Sequence, residues 1–157
     1  HDAIEFIRQR LEYSFQKGKI TENSKLQVIK NIKPVYELDE LIKSKLIVEA
    51  VIEDLEIKKD LLCRLESFVG TESILSTNTS SLDLKKIGSK LKRPERFVGI
   101  HFFNPVPVME LVEIIHTDET DPNITKFVSK LLKEWGKIPV HVLNSLGFIV
   151  NRAASPF

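Results

Sequence analysis

The sequence predicts an α/β fold whose sheet is mostly parallel. Three observations carry that reading. Short apolar runs alternate with amphipathic segments of helical period. One of the runs, LIVEAVIE at 46–53, is rich in β-branched residues and has the length of a strand covered on both faces. One connection, between GIHFF and ELVEII, is too short for a parallel crossover and marks an antiparallel pair at one edge.

The elements follow in order. Residues 2–16 place Ile4, Ile7, Leu11 and Phe15 at helical spacing, and Gly18 stands where a helix stops. Thr21 is placed to cap a short helix through Ile29. IKPVYEL, 32–38, reads as a brief extended piece, an edge or short strand because of Pro34. DELIKS, 39–44, gives one or two helical turns. The strand at 46–53 leads to a helix at 54–68 through Leu55, Leu61, Leu62 and Leu65. SILSTNTSS is a second buried strand that ends in hydroxyls and an amide, and a short helix at 82–91 follows. RFVGIHFF and ELVEII are the third and fourth strands. Residues 121–136 carry strong helix signals: Asp121 as cap, Pro122 at the first position and Gly136 after the end. IPVHVL is the last strand, and GFIVNRAASPF begins a further helix.

Composition narrows the function classes. With 157 residues the chain has the size of one domain, and 42% apolar with 29% charged residues is an ordinary soluble balance. A net charge of +1 gives no electrostatic case for nucleic acid or an acidic membrane surface. Cys63 is alone, so neither an internal disulfide nor a cysteine-rich metal site is expected. No apolar run approaches the ~20 residues of a membrane span. No signal segment opens the chain, and a cytoplasmic location is expected.

Two ionisable residues stand inside strand-like runs. Partners in a hairpin have residue numbers of constant sum, so a turn centred on Pro107 sets His101 opposite Glu113, on one face of the sheet. A carboxylate bonded to one ring nitrogen fixes the tautomer and leaves the other nitrogen to act as a base. The alternative is a core histidine satisfied by a neighbour, with Glu113 on a solvated edge. Ligands of open α/β sheets sit beyond the carboxyl ends of strands, where His101, the STNTSS segment and Glu53 all fall. For that segment too a plainer reading exists, in which Ser80 or Ser81 caps the helix at Leu82.

STNTSS, ERFVGIHFFNPVPVMELVEII and GKIPVHVLNSLGFIVNR, preceded by LIVEAVIEDLEIKKDL, resemble the nucleotide-binding domain of the L-3-hydroxyacyl-CoA dehydrogenases over essentially the whole chain. The resemblance implies a Rossmann-like sheet and NAD-dependent oxidation of a 3-hydroxyacyl-CoA to its 3-keto form, a step of fatty acid β-oxidation. By motif, His101 resembles the general base, Glu113 its orienting carboxylate, Ser80 the hydroxyl on the substrate's 3-oxygen, and Asn151 a positioning amide. Glu53, Lys58, Ser80 and Asn104 match cofactor-contacting positions. Lys17 and Lys19 fall where the family meets coenzyme A phosphates, although exposed lysines at a helix end need no ligand.

The resemblance also sets expectations about what the chain lacks. Leu146 stands where the family has a proline. No G-x-G-x-x-G loop occurs, so the first two strands and the phosphate-binding loop are expected to precede His1. Residues 1–146 read as a partial nucleotide-binding domain and 147–157 as the start of a linker helix to an absent helical domain. A homodimer is implied for the full-length protein, and self-association through an open strand edge for the chain alone. Two alternatives share these blocks: a gulonate-type hydroxy-acid dehydrogenase, and a non-catalytic assembly module.

Overall fold

The structure, a computed structural model, describes residues 2–144. Two compact units divide the chain, His1–Glu40 and Leu41–Phe157.

The first unit is built on two helices, α1 (Asp2–Gln16) and α2 (Glu22–Asn31). Gly18, with φ of 67°, lets the chain leave α1: its N–H reaches the Phe15 carbonyl at 2.8 Å, and the Lys19 N–H reaches Ser14 at 2.9 Å. Thr21 caps α2 as expected, its hydroxyl accepting the Ser24 N–H at 3.1 Å. Lys25 of α2 ties back to Glu12 of α1 at 2.8 Å. The extended piece expected at 32–38 forms no strand. Pro34 has no N–H to give, and the Glu40 carboxylate takes the N–H groups of Tyr36 and Glu37 at 3.0 and 3.3 Å, which a ladder would have needed. A single 3-10 turn at Leu38–Leu41 stands where one or two helical turns are expected over 39–44.

The second unit runs β1 (Leu46–Glu49), α3 (Leu55–Phe68), β2 (Ile74–Thr77), α4 (Leu84–Gly88), β3 (Phe97–Phe102), β4 (Leu111–His116), α5 (Pro122–Glu134) and β5 (Ile138–Leu143). The five strands lie in chain order in one sheet. β1, β2 and β3 are parallel; β4 is antiparallel to β3, and β5 is parallel to β4. The predicted sheet, parallel with a reversed edge, is therefore the one observed.

Two elements are shorter than expected. β1 stops at Glu49 because the Val51 N–H turns onto the Glu49 carboxylate at 2.6 Å instead of pairing along the ladder. α4 has five residues, and Asp83 caps it by accepting the Lys85 N–H at 2.8 Å. Ser80 and Ser81 therefore do not cap this helix, which removes the plainer reading of that segment.

The core lies on both faces of the sheet. On one, Ile74, Val98, Ile100, Val112 and Ile114 meet Ile124, Val128 and Leu132 of α5. On the other, α4 comes so close that a Cβ on Gly99 would lie 3.2 Å from Leu84 and 3.0 Å from Ile115. That second face also carries a buried polar row. Strand register and alternation place Glu49, Thr77, Gly99, His101 and Glu113 on it together.

Candidate active site

The register of β3 with β4 sets His101 opposite Glu113, and the side chains meet with Nδ1 2.8 Å from Oε2. Both are buried, Glu113 with 1% of its surface exposed and His101 with 6%. A carboxylate accepts, so the ring nitrogen facing it donates, and a neutral ring then has its lone pair on Nε2. The Phe103 ring stands 4.5 Å from the imidazole, tilted by 55°, and helps to fix its plane. This is the arrangement a general base requires: one nitrogen fixed, the ring held, and a lone pair of defined direction.

The ends of β1 and β2 are laced together beside it. Glu53 Oε1 accepts the Thr79 hydroxyl at 2.5 Å and the Ser80 N–H at 3.0 Å, with the hydroxyls of Ser80 and Ser81 at 3.5 and 3.4 Å. Its Oε2 lies 3.3 Å from Lys58 Nζ. Burial pushes the Glu53 carboxyl up, but the Thr79 hydroxyl, the Ser80 N–H and the Lys58 ammonium outweigh it and hold the group below the usual carboxylate range. Glu53 is therefore an anion at neutral pH, and 37% of its side chain is exposed. Lys58 sits beneath it, 1% exposed, and also bonds Glu49 at 2.8 Å and the Val51 carbonyl at 3.2 Å.

Asn78 closes the gap between the second and third strand ends, its amide oxygen accepting the Phe102 N–H at 2.9 Å. Asn104 is exposed at the head of the loop to β4. That loop is clamped by Lys137, whose ammonium donates to the carbonyls of Val106 at 2.5 Å and Met109 at 2.8 Å. Asn151 and Leu146 lie outside the described residues, as does the proposed linker segment 147–157. Lys17 and Lys19 are exposed in the turn after α1, in the first unit, with Lys17 Nζ 5.6 Å from the Tyr13 ring centre.

Sequence reasoning singled out His101, Glu113, Glu53, Lys58 and Ser80, but missed Glu49, Thr77, Thr79 and Lys137. Glu49 carried a signal, being a carboxylate in the interior of a β-branched run. The others are common residue types whose partners lie far away in the chain.

These polar groups suit the sugar and carboxamide end of a dinucleotide: the anionic Glu53 carboxylate as acceptor, the exposed Ser80 hydroxyl and the exposed Asn104 amide. The described glycines, Gly18, Gly70, Gly88, Gly99 and Gly136, stand far apart, and none forms a glycine-rich phosphate loop. Among the described residues no group of three or more His, Cys, Asp or Glu is placed to hold a metal ion, and no helix is long and apolar enough to cross a membrane.

Comparison with known proteins shows the family and the fold. The sequence model of the 3-hydroxyacyl-CoA dehydrogenase, NAD binding domain, matches residues 1–145. A 3-hydroxyadipyl-CoA dehydrogenase of Escherichia coli strain K12 is 39% identical over 99% of this chain and 33% of its own length. A 3-hydroxybutyryl-CoA dehydrogenase of Clostridioides difficile is 41% identical over 98% of this chain and 55% of its own. The crystal structure of a 3-hydroxybutyryl-CoA dehydrogenase from Escherichia coli K12 superposes with a TM-score of 0.95 at 38% identity, covering 98% of this chain and 32% of that one. That of an (S)-3-hydroxybutyryl-CoA dehydrogenase from Ralstonia eutropha gives 0.89 at 38%, covering 92% and 51%. The chain thus spans between about a third and about half of the length of these four relatives.

Proposed function

Because the chain belongs to the family of 3-hydroxyacyl-CoA dehydrogenase NAD-binding domains, we propose that it carries the catalytic base and part of the cofactor site for oxidation of an L-3-hydroxyacyl-CoA to the 3-ketoacyl-CoA. The observation that supports this most directly is the buried contact of 2.8 Å between His101 Nδ1 and Glu113 Oε2.

In this reading His101 takes the proton of the substrate's 3-hydroxyl through Nε2. Glu113 holds the ring in the tautomer that makes this possible and stabilises the imidazolium that forms. Ser80 donates to the substrate's 3-oxygen, and Asn151 helps to position it. Bound NAD supplies the acceptor for the hydride that leaves C3. Glu53, Ser80 and Asn104 hold that cofactor by hydrogen bonds, and Lys58 serves it by fixing Glu53 from below. Fixing both partners before reaction lowers the entropic part of the barrier. Lys17 and Lys19 meet the phosphates of coenzyme A.

Relatives named for 3-hydroxybutyryl- and 3-hydroxyadipyl-CoA favour an acyl-CoA over a free hydroxy acid such as gulonate. A relative named as subunit alpha of a fatty acid oxidation complex supports a role in β-oxidation. Such a pathway fits a cytoplasmic protein. The full-length protein forms a homodimer, and the chain by itself self-associates through the outer edge of β1, which ends the described sheet. The test is a substrate panel on the full-length protein: L-3-hydroxybutyryl-CoA, longer 3-hydroxyacyl-CoAs and gulonate, each with NAD. Turnover of the thioesters and not of gulonate is expected; turnover of gulonate alone would overturn the assignment.

A further inference from the structure

Beneath the cofactor-facing carboxylate lies a second carboxylate that the catalytic reading does not use. Glu49, the last residue of β1, is 3% exposed. Its Oε1 accepts the Val51 N–H at 2.6 Å and the Lys58 ammonium at 2.8 Å, and its Oε2 accepts the Thr77 hydroxyl at 2.6 Å. Lys58 gives its remaining protons to the Val51 carbonyl at 3.2 Å and to Glu53 Oε2 at 3.3 Å. The N–H and the C=O of Val51 are thus held by the two members of one ion pair. This fixes the chain where it leaves β1 and turns towards Glu53.

The arithmetic of charge explains why two carboxylates attend one ammonium. A fully buried ammonium needs a counterion, and Glu49, equally buried, supplies it. The excess negative charge then rests on Glu53, the partly exposed member. The same three residues join the ends of neighbouring strands at two levels: Glu49 to Thr77 within the sheet, and Glu53 to Thr79 and Ser80 above it. Side-chain direction at Glu53 therefore depends on Lys58, and the place of Lys58 depends on Glu49.

We propose that Glu49 is a positioning residue of the cofactor site: through Lys58 and Thr77 it aims the Glu53 carboxylate and the Ser80 segment at the bound dinucleotide. The inference rests on the dehydrogenase reading for the identity of the cofactor. Its geometry concerns only residues of this chain.

The test uses the full-length protein with Glu49→Gln, which keeps the shape and removes the charge, and with Glu49→Gln/Lys58→Met, which removes the pair together and avoids an unpartnered buried ammonium. Two quantities are read without turnover: the Kd of NADH by fluorescence titration, and amide hydrogen exchange of residues 50–54 and 78–81 in the cofactor-free protein. A rise in Kd of about tenfold or more in both variants is expected. Exchange in those two segments should quicken while α5 stays protected. In steady state the KM for NAD should rise while the KM for the acyl-CoA stays within about threefold. An unchanged Kd in folded Glu49→Gln, or a loss of protection spread evenly over the sheet, would overturn the proposal. If the wild type binds NADH but oxidises no 3-hydroxyacyl-CoA, the dehydrogenase reading fails and the titration still decides the role of Glu49.

Discussion

Across the antiparallel pair β3–β4, His101 and Glu113 stand in direct register, with the imidazole Nδ1 2.8 Å from the carboxylate Oε2. Two strands that run oppositely bring their side chains together at every facing position, so the fold itself sets this contact. The dependence of chemistry on that register can be measured. Replacing Glu113 by Gln keeps the volume and offers an amide that can donate as well as accept, which no longer enforces the Nδ1–H tautomer. We expect kcat to fall by about 10²-fold or more, with the Kd of NADH changed by less than about threefold. Steady-state kinetics and a fluorescence titration check both halves.

Gly99 sits in the polar row between Thr77 and His101 because nothing larger fits. A Cβ there would lie 3.0 Å from Cβ of Ile115 and 3.2 Å from Leu84 Cδ2. Gly99→Ala should destabilise the protein by about 1–3 kcal/mol through overpacking. Urea denaturation reads this as a lower midpoint at unchanged slope. Because the displaced groups flank His101, turnover should fall as well.

The face opposite the dyad packs the hydrophobic core against α5. Leu132 of α5 is 1% exposed among Val98, Ile100, Val112 and Ile114. Leu132→Ala should cost about 2–5 kcal/mol. Denaturation of the purified variant measures the loss, and the KM values of the surviving folded fraction should be those of the wild type.

The chain beyond β5 is latched to α4 by Asn144. Its amide donates to Asp83 Oδ1 at 2.7 Å and its oxygen accepts the Leu84 N–H at 3.0 Å. That donated bond is the chief reason the Asp83 carboxyl lies below its ordinary range; burial opposes it, and the Lys85 and Lys86 N–H groups add to it. A carboxyl whose folded value is depressed contributes stability above its unfolded value, and that contribution is lost as pH falls through the folded value. Asn144→Ala should therefore destabilise fully at neutral pH. The Asp83 share of the loss should begin to shrink as pH falls below about 3.9, the unfolded value, and vanish once pH is below the lower folded value, leaving the part due to the Leu84 bond. Denaturation curves of both proteins at neutral and acid pH show the difference.

Much of this was legible in the sequence, for identifiable reasons. Facing partners in a hairpin follow from arithmetic, so His101 and Glu113 were found without any structure. Helix signals at Thr21, Asp121, Pro122 and Gly136 act within a few residues and were read correctly. Where two local signals competed, the outcome depended on the fold. Asp83 won the α4 cap over Ser80 and Ser81 because β2 and Glu53 hold those serines elsewhere. IKPVYEL lost its strand to a carboxylate three to four residues downstream. The Glu49–Lys58 pair was illegible as a pair, since it depends on which side chain of α3 lies over the end of β1. No periodicity states that.

In the proposed function His101 is the base of a 3-hydroxyacyl-CoA oxidation. The most direct measurement is NADH formation from L-3-hydroxybutyryl-CoA and NAD by the full-length protein, wild type beside His101→Gln. Turnover by the wild type and a fall in kcat of about 10²- to 10⁴-fold in the variant, with NADH still bound at near wild-type affinity, is the predicted result. Wild-type turnover by folded His101→Gln would contradict it.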